Sequence, residues 1–265
     1  MTTSPVARFY DDFAAGYHLI YADWDASVIR QGTALDALLR DRLGDRAAEV
    51  LDCACGIGTQ ALGLAGRGHR VTGTDLSPVA AGRAAAEAVR RGLELPTAAA
   101  DMRQLPFPDG SFDVVVCADN ALPHLLTPAD VLAALSEMRR VLRPGGLLLL
   151  TTRPYDELRR GRPSSTAPQT AEREGQRSVV FQLWQWHEDG ERYDSELFQL
   201  LSDHAGQWRV DVHRSTYWAL TQAQSSAFAT AAGFIVAEWK APADTGFFQP
   251  VLIARTPERP DALTA

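Results

Sequence analysis

The stretch EVLDCACGIGTQALGLAGRGHRVTGTDLSP, Glu49 to Pro78, sets small residues (Ala54, Gly56, Gly58) and two aspartates (Asp52, Asp75) in an apolar frame. It divides into a short buried strand (EVLDCA), a glycine-rich turn, a helix that ends at Gly66 or Gly68, and a second strand (HRVTGTDL). In an open α/β sheet, ligands bind beyond the carboxyl ends of the strands, and the first strand-to-helix turn comes nearest to them. Larger side chains than those of Ala54, Gly56 and Gly58 would block that approach. Asp52 ends the first strand and Asp75 the second, the latter at the separation where a carboxylate accepts both hydroxyls of a ribose.

The same alternation continues outward. Thr33 to Leu43 carries Leu35, Leu38, Leu39 and Leu43 on one helical stripe. Ser77 caps the helix that starts at Pro78, and PTAAADM is a third strand. FDVVVCAD is the continuous apolar run of a strand covered on both faces. Ala129 to Leu142 is a helix stopped by RPGG, and GLLLLTT is a fifth strand. Such alternation implies right-handed crossovers and an α/β fold, a Rossmann-like doubly wound, mostly parallel sheet with helices on both faces. Two closing strands, FIVAEWKAP and QPVLIART, follow a helix over Thr221 to Gly233 and bring the sheet to seven.

Between these parts, residues 155–178 are rich in Pro, Ser, Gly and charge and are expected to form a mobile loop. A hairpin turning at Glu188 to Glu191 and the strand WRVDVHRSTYWAL then make an antiparallel insertion. The expected organisation is one domain over 1–265, with an N-terminal lid (1–32), a cofactor core (33–153), the loop and insertion (154–220) and the closing helix and strands (221–256).

A net charge of -7 argues against a phosphodiester partner, and the basic run Arg153 to Arg162 reads as a solvated loop face. Cys53, Cys55 and Cys117 are too few for a disulfide framework and lie in apolar runs, so reduced buried thiols are expected. The N-terminus has no signal-peptide-like apolar segment and no window has the length of a membrane span, which leads to a cytoplasmic expectation.

The turn's chemistry separates two classes of ligand. A dinucleotide site wants Gly-x-Gly-x-x-Gly with nothing acidic near the pyrophosphate, whereas Asp52 at its mouth repels phosphate and tolerates a cation bearing an amino group. A nicotinamide-dependent dehydrogenase is therefore disfavoured.

Taken together, VLDCACGIGTQ, VTGTDLSP, AAADMRQLPFPDGSFDVVVCADNALPHL and MRRVLRPGGLLLLTT resemble the class I S-adenosylmethionine-dependent methyltransferases in order and spacing over roughly residues 47–152. The resemblance implies S-adenosyl-L-methionine as cofactor, S-adenosyl-L-homocysteine as product and in-line displacement of the methyl group. It places Asp52 and the turn from Ala54 through Gly56 to Gly58 near the methionine part, Asp75 with Leu76 at the ribose, and Asp101, Met102 and Arg103 around the adenine. Ala118 and Asp119 would border the methionyl moiety. The family usually has glycine where this chain has Ala54.

In similar enzymes the N-terminal region folds over the cofactor, which puts Tyr17, Trp24 and Arg30 beside it, Arg30 pairing with the methionine carboxylate. Tyr17, Ile20, Tyr21 and Trp24 also fit the buried face of one amphipathic helix, and the two readings are compatible. The candidate catalytic residues are His124 as base, then His18 and Tyr21. His124 fits a structural cap on the following loop equally well. Tyr21, Asn120, His124 and Arg214 are the candidate acceptor-binding residues, Arg214 meeting a carboxylate or lying at the surface.

No metal is expected, because the fifth strand ends in TTRP rather than in the acidic residue that metal-assisted catechol methylation uses. The lid and insertion resemble the glycine and sarcosine N-methyltransferase group, which implies a small amino or hydroxyl metabolite as acceptor and a small-molecule rather than nucleic-acid or membrane partner. A homodimer is compatible with this, and a cofactor-binding sensor without methyl transfer is the alternative.

Overall fold

A computed structural model describes residues 4–173 and 176–258, so residues 1–3, 174–175 and 259–265 of the expected domain lie outside the described residues. Its central sheet has seven strands: β1 (Glu49–Asp52), β2 (Arg70–Asp75), β3 (Thr97–Ala99), β4 (Phe112–Cys117), β5 (Leu142–Thr151), β10 (Ile235–Lys240) and β11 (Val251–Arg255). The spatial order is β10-β11-β5-β4-β1-β2-β3. All neighbours are parallel except β11, which runs antiparallel to both β5 and β10. The order reverses at β1, so the carboxyl ends of β1 and β4 open the crevice where such sheets bind ligands.

Side chains alternate between two cores. Val50, Val114, Val116, Leu147 and Leu149 pack against α2 (Trp24–Leu43), α3 (Thr59–Ala65) and α4 (Pro78–Arg90). Leu51, Val115, Leu148 and Leu150 pack against α5 (Pro128–Val141) and α7 (Gln222–Ala231). Burial on both faces is the physical reason that the strands read as unbroken apolar runs. The cysteines are free thiols within these cores. No helix among the described residues is long and apolar enough to cross a membrane.

The N-terminal region departs from the expected single amphipathic helix. It forms α1 (Pro5–Phe13), a short 3-10 turn (Tyr17–Ile20) and then α2, which starts at Trp24 because the Asp23 side chain caps it through Ala26 N–H at 2.9 Å. The helix expected from Thr33 is only the second half of α2. Gly32, just before that expected start, lies in mid-helix where a Cβ would stand 2.5 Å from the Gly63 backbone of α3. It serves helix-to-helix contact instead of a turn.

The expected mobile loop over 155–178 contains α6 (Tyr155–Gly161) and the edge strand β6 (Gln169–Arg173). β6 is mostly polar and so lacks the alternating pattern that marks a half-buried strand. It joins β7 (Gln176–Trp186), β8 (Arg192–Ser202) and β9 (Trp208–Trp218) in a second, antiparallel sheet. Val180 and Leu197 of that sheet pack on Phe13 with Phe9, Tyr10 and Tyr17 around them. Trp184, Tyr193 and Tyr217 pack on Tyr155. Its aromatic side chains thus form a core that also roofs the carboxyl ends of the central strands.

Candidate functional site

The carboxyl ends of β1 to β4 and the N-terminal segment enclose a cavity of about 260 Å³. At its base Gly56, with φ 52°, directs its N–H to Asp75 Oδ2 at 2.8 Å. A Cβ on Gly56 would lie 3.3 Å from the Tyr17 ring, so backbone and aromatic cover both favour glycine. Asp75 Oδ1 accepts the Ser77 N–H at 2.8 Å. Each carboxylate oxygen keeps a further lone pair for a ligand hydroxyl. Burial raises the Asp75 carboxyl above its ordinary value, against the pull of those two donors.

Asp52 lies behind the turn. Its Oδ1 accepts from Ala54 N–H at a long 3.4 Å, and its buried Oδ2 has no partner within hydrogen-bond distance among the described residues, the Ala61 N–H being the other backbone donor that acts on the carboxylate. Burial first, with the nearby Asp75 charge, raises its pKa to about 7. An orphaned buried oxygen of this kind is unfavourable unless a donor answers it, and a cationic donor answers it best.

At the opposite end, Arg103 grips Asp101 through Nε at 3.0 Å and Nη2 at 2.6 Å and reaches Asp130 through Nη1 at 2.6 Å. Burial opposes ionisation of Asp101, but Arg103 holds its carboxyl below the ordinary value. Besides Arg103, the acidic and basic side chains on the cavity wall are the carboxyls of Asp75, Asp101, Asp119 and Asp130 and the imidazole of His124, which favours a positively charged ligand.

Asp119 and Asn120 follow β4 with φ of 54° and 69°, left-handed conformations that Asp and Asn tolerate better than most residues. Asp119 Oδ2 accepts the Tyr21 O–H at 3.0 Å, and burial raises the carboxyl despite Tyr21 and the Arg153 charge. Nearby, His124 is bracketed by Tyr10 Oη, 2.8 Å from Nε2, and Ser215 Oγ, 3.1 Å from Nδ1. Burial and then the Arg153 charge lower the His124 pKa to about 3, so the ring is neutral, donating through one nitrogen and accepting through the other.

Asp119 also lines a second cavity of about 610 Å³, together with Tyr21, Arg30, Arg153, Gln182 and Gln249. Arg153 donates to Tyr193 Oη at 2.6 Å and Gln182 Oε1 at 3.1 Å and lies over the Trp184 and Tyr217 rings. Among the described residues no carboxylate lies within ion-pair distance of it, and Asp119 meets its charge only across the cavity. Arginine almost never sits inside a protein without a counter-charge.

Of the residues singled out in the sequence, Tyr17, Ala54, Gly56, Asp75, Leu76, Asp101, Met102, Arg103, Ala118, Asp119 and His124 line the first cavity. Tyr21 and Arg30 face the second, and Arg30 donates to Ser27 Oγ at 2.8 Å. Trp24 is buried, its Nε1–H on Thr59 Oγ1 at 2.9 Å. His18 borders a separate groove with Arg177 and Trp208. Arg214 lies on the surface in an ion pair with Glu196. Asn120 is buried and its Oδ1 accepts the Arg153 N–H at 3.2 Å.

Two residues of these cavities, Arg153 and Gln249, carry no signal in the sequence that assigns them there, whereas Tyr10 belongs to the aromatic-rich segment expected to cover the cofactor. Arg153 in particular is not on a solvated loop face but beneath the second sheet.

Residues 50–146 match the family model described as "Methyltransferase domain". The chain is 36% identical over 155 residues to a glycine/sarcosine N-methyltransferase of Parasynechococcus marenigrum, covering 58% of this chain and 54% of that one. It is 39% identical over 150 residues to a demethylmenaquinone methyltransferase of Beutenbergia cavernae, covering 55% of this chain and 56% of that one. The chain thus spans about half the length of these relatives. In fold it is similar to an amino pentose methyltransferase from Micromonospora echinaspora, with a TM-score of 0.69 at 24% identity over 86% of this chain and 91% of that one.

Proposed function

We propose that this chain, whose residues 50–146 belong to the class I S-adenosylmethionine-dependent methyltransferase family, methylates the amino group of a small metabolite that also carries an anionic group. The observation that carries this reading is the junction at Asp119: an acidic cavity on one side, and on the other a cavity holding Arg153, which no described carboxylate pairs. When bound, S-adenosylmethionine supplies a methyl group on a positively charged sulfur, with a neutral thioether as leaving group.

The residues divide the remaining work. Asp75 accepts the ribose hydroxyls, and Asp52, buried behind the turn and outside the cavity lining, adds a negative charge beneath the cofactor's ammonium. Asp119 receives the acceptor's amine while Arg153 holds its anion, so both ends of a zwitterion are fixed and the nitrogen is presented in one orientation. Tyr10 and the aromatic second sheet exclude water. Tyr10 and His124 then offer the amine proton a path, from Tyr10 Oη to the neutral imidazole. An anion seated on Arg153 also offsets the single charge that, after burial, depresses His124.

His124→Ala is expected to lower turnover on the order of 100-fold, the low end of general-base contributions, with cofactor affinity nearly unchanged. Steady-state rates alongside calorimetry check this, and a wild-type rate removes His124 from the mechanism.

A pH dependence follows from Asp52. Below its pKa of about 7 the carboxyl is protonated and neutral, so binding a cation nearby favours release of that proton. Affinity for S-adenosylmethionine should therefore rise with pH on the acid side, by less than tenfold per unit because Asp52 acts from behind the turn, and level off above neutrality. Calorimetry across that range measures it; a flat profile means that Asp52 does not meet the cofactor's charge.

The acceptor class is tested by comparing S-adenosylhomocysteine release with amino acids, amino sugars and simple alkylamines. Preference for amines carrying a carboxylate or phosphate is expected. Equal use of uncharged alkylamines contradicts the role given to Arg153.

A further inference from the structure

β11 enters the central sheet antiparallel to β5, with Val251 opposite Thr151. Gln249, two residues before Val251, therefore lies just past the carboxyl end of β5, beside the loop that holds Asp119 in its left-handed conformation. Both Gln249 and Thr151 are buried. They form a closed circuit with Asp119. The Asp119 N–H donates to Thr151 Oγ1 at 2.9 Å, Thr151 Oγ1 donates to Gln249 Oε1 at 2.8 Å, and Gln249 Nε2 donates to Asp119 Oδ1 at 3.4 Å.

The direction of this circuit is dictated by its first member. A backbone N–H can only donate, so Thr151 Oγ1 accepts there and spends its single proton on Gln249. The amide must then present its oxygen to Thr151 and its N–H to Asp119. With the Tyr21 O–H on Oδ2 at 3.0 Å, each oxygen of Asp119 receives a donor and the plane of the carboxylate is set. Neither Gln249 nor β11 belongs to the segment 50–146 that matches the methyltransferase domain.

We propose that Gln249 is a positioning residue, which, locked by Thr151, sets the Asp119 carboxylate toward the acceptor cavity and so makes the site selective for an amine. The role rests on the methyl-transfer reading above, in which Asp119 receives the acceptor's nitrogen. Gln249 itself lines the acceptor cavity, next to the carboxylate that it orients.

Gln249→Glu and Gln249→Met distinguish this from general support of the fold. When protonated, the introduced carboxyl donates its O–H to Asp119 as the amide did; when ionised, it sets two carboxylates against each other. The groups facing Asp119 are Tyr21, Tyr10, Tyr17, Tyr217 and Arg153. Burial pushes all four tyrosine hydroxyls upward and Arg153 keeps its charge, while the neighbouring His124 stays neutral. None of them titrates across neutral pH, which leaves the introduced acid as the group that does.

The acceptor KM of Gln249→Glu should be close to wild type on the acid side and depart from it progressively as pH rises, once the pair loses its shared proton and with it the donor to Asp119. That of Gln249→Met should be raised about tenfold relative to wild type by a factor that does not change with pH. The melting temperature supplies a readout without substrate. The introduced acid gains protons on folding, so the deficit of Gln249→Glu against wild type should widen as pH rises, while that of Gln249→Met stays constant.

If Gln249→Glu behaves like Gln249→Met at every pH, or if either matches wild type across the whole pH range, the positioning role is wrong. A melting curve that shifts as expected beside an unmoved KM also overturns the role, because the circuit then supports the fold alone. Wild-type protein that turns over no amine at all removes the methyl-transfer reading and this role with it; normal turnover with a pH-flat Gln249→Glu removes this role alone.

Discussion

Arg153→Leu should raise the acceptor KM by roughly 30- to several-thousand-fold, the equivalent of the 2–5 kcal/mol lost when one partner of a buried charge pair is truncated. Cofactor affinity should stay near wild type, since Arg153 lines the second cavity and not the first. The leucine leaves Tyr193 Oη and Gln182 Oε1 without the donor they now have, so some stability is lost as well. Arg153→Lys separates the two effects. It keeps the charge but lacks the planar fork, and should fall between wild type and leucine in KM. Steady-state kinetics with a carboxylated amine, checked by thermal melting, decides the matter; an unchanged KM in a folded Arg153→Leu would place the acceptor's anion elsewhere.

Asp75→Ala should weaken S-adenosylmethionine by about 1.5–3 kcal/mol, the usual loss for hydrogen bonds to a charged group, or roughly 10- to 150-fold in Kd. The carboxylate has two tasks. It fixes the turn by accepting from Gly56 and Ser77, and it offers its remaining lone pairs to the cavity. Asp75→Asn preserves the shape but turns one acceptor into a donor, facing either the turn N–H groups or a ligand hydroxyl the wrong way. It should therefore bind the cofactor less tightly than wild type with a smaller loss of fold stability than alanine. Calorimetry on both variants provides the test, and unchanged affinity in Asp75→Ala would mean that the ribose does not reach this carboxylate.

The core is legible in the sequence because its physical causes are local. Two-sided burial writes β4 and β5 as apolar runs, and Ser77 with Pro78 announces α4. The turn from Ala54 to Gly58 and the carboxylate of Asp75 lie within one strand-helix-strand unit, so their meeting is set by short-range geometry. By contrast, Tyr10 meets His124 across 114 positions and Gln249 meets Asp119 across 130. No periodicity encodes such contacts. Arg153 reads as solvated because Arg159, Arg160 and Arg162 follow it, and only the second sheet, folding back from residues far downstream, buries it. β6 is hidden for a related reason: a polar edge strand has the composition of a loop. The long helix α2 reads as a shorter one because only its second half, from Thr33, shows a leucine stripe, while Gly32 in its middle answers to Gly63 of another helix.

The most direct test of methyl transfer is a mass measurement on a reaction of the wild-type protein with S-adenosylmethionine and a panel of zwitterionic amines, following acceptor and S-adenosylhomocysteine together. The account predicts that one acceptor gains a single methyl group on nitrogen, in step with S-adenosylhomocysteine formed. Tight cofactor binding with no methylated product from any acceptor in the panel would contradict it, leaving a cofactor-binding protein whose Arg153 cavity serves a different ligand.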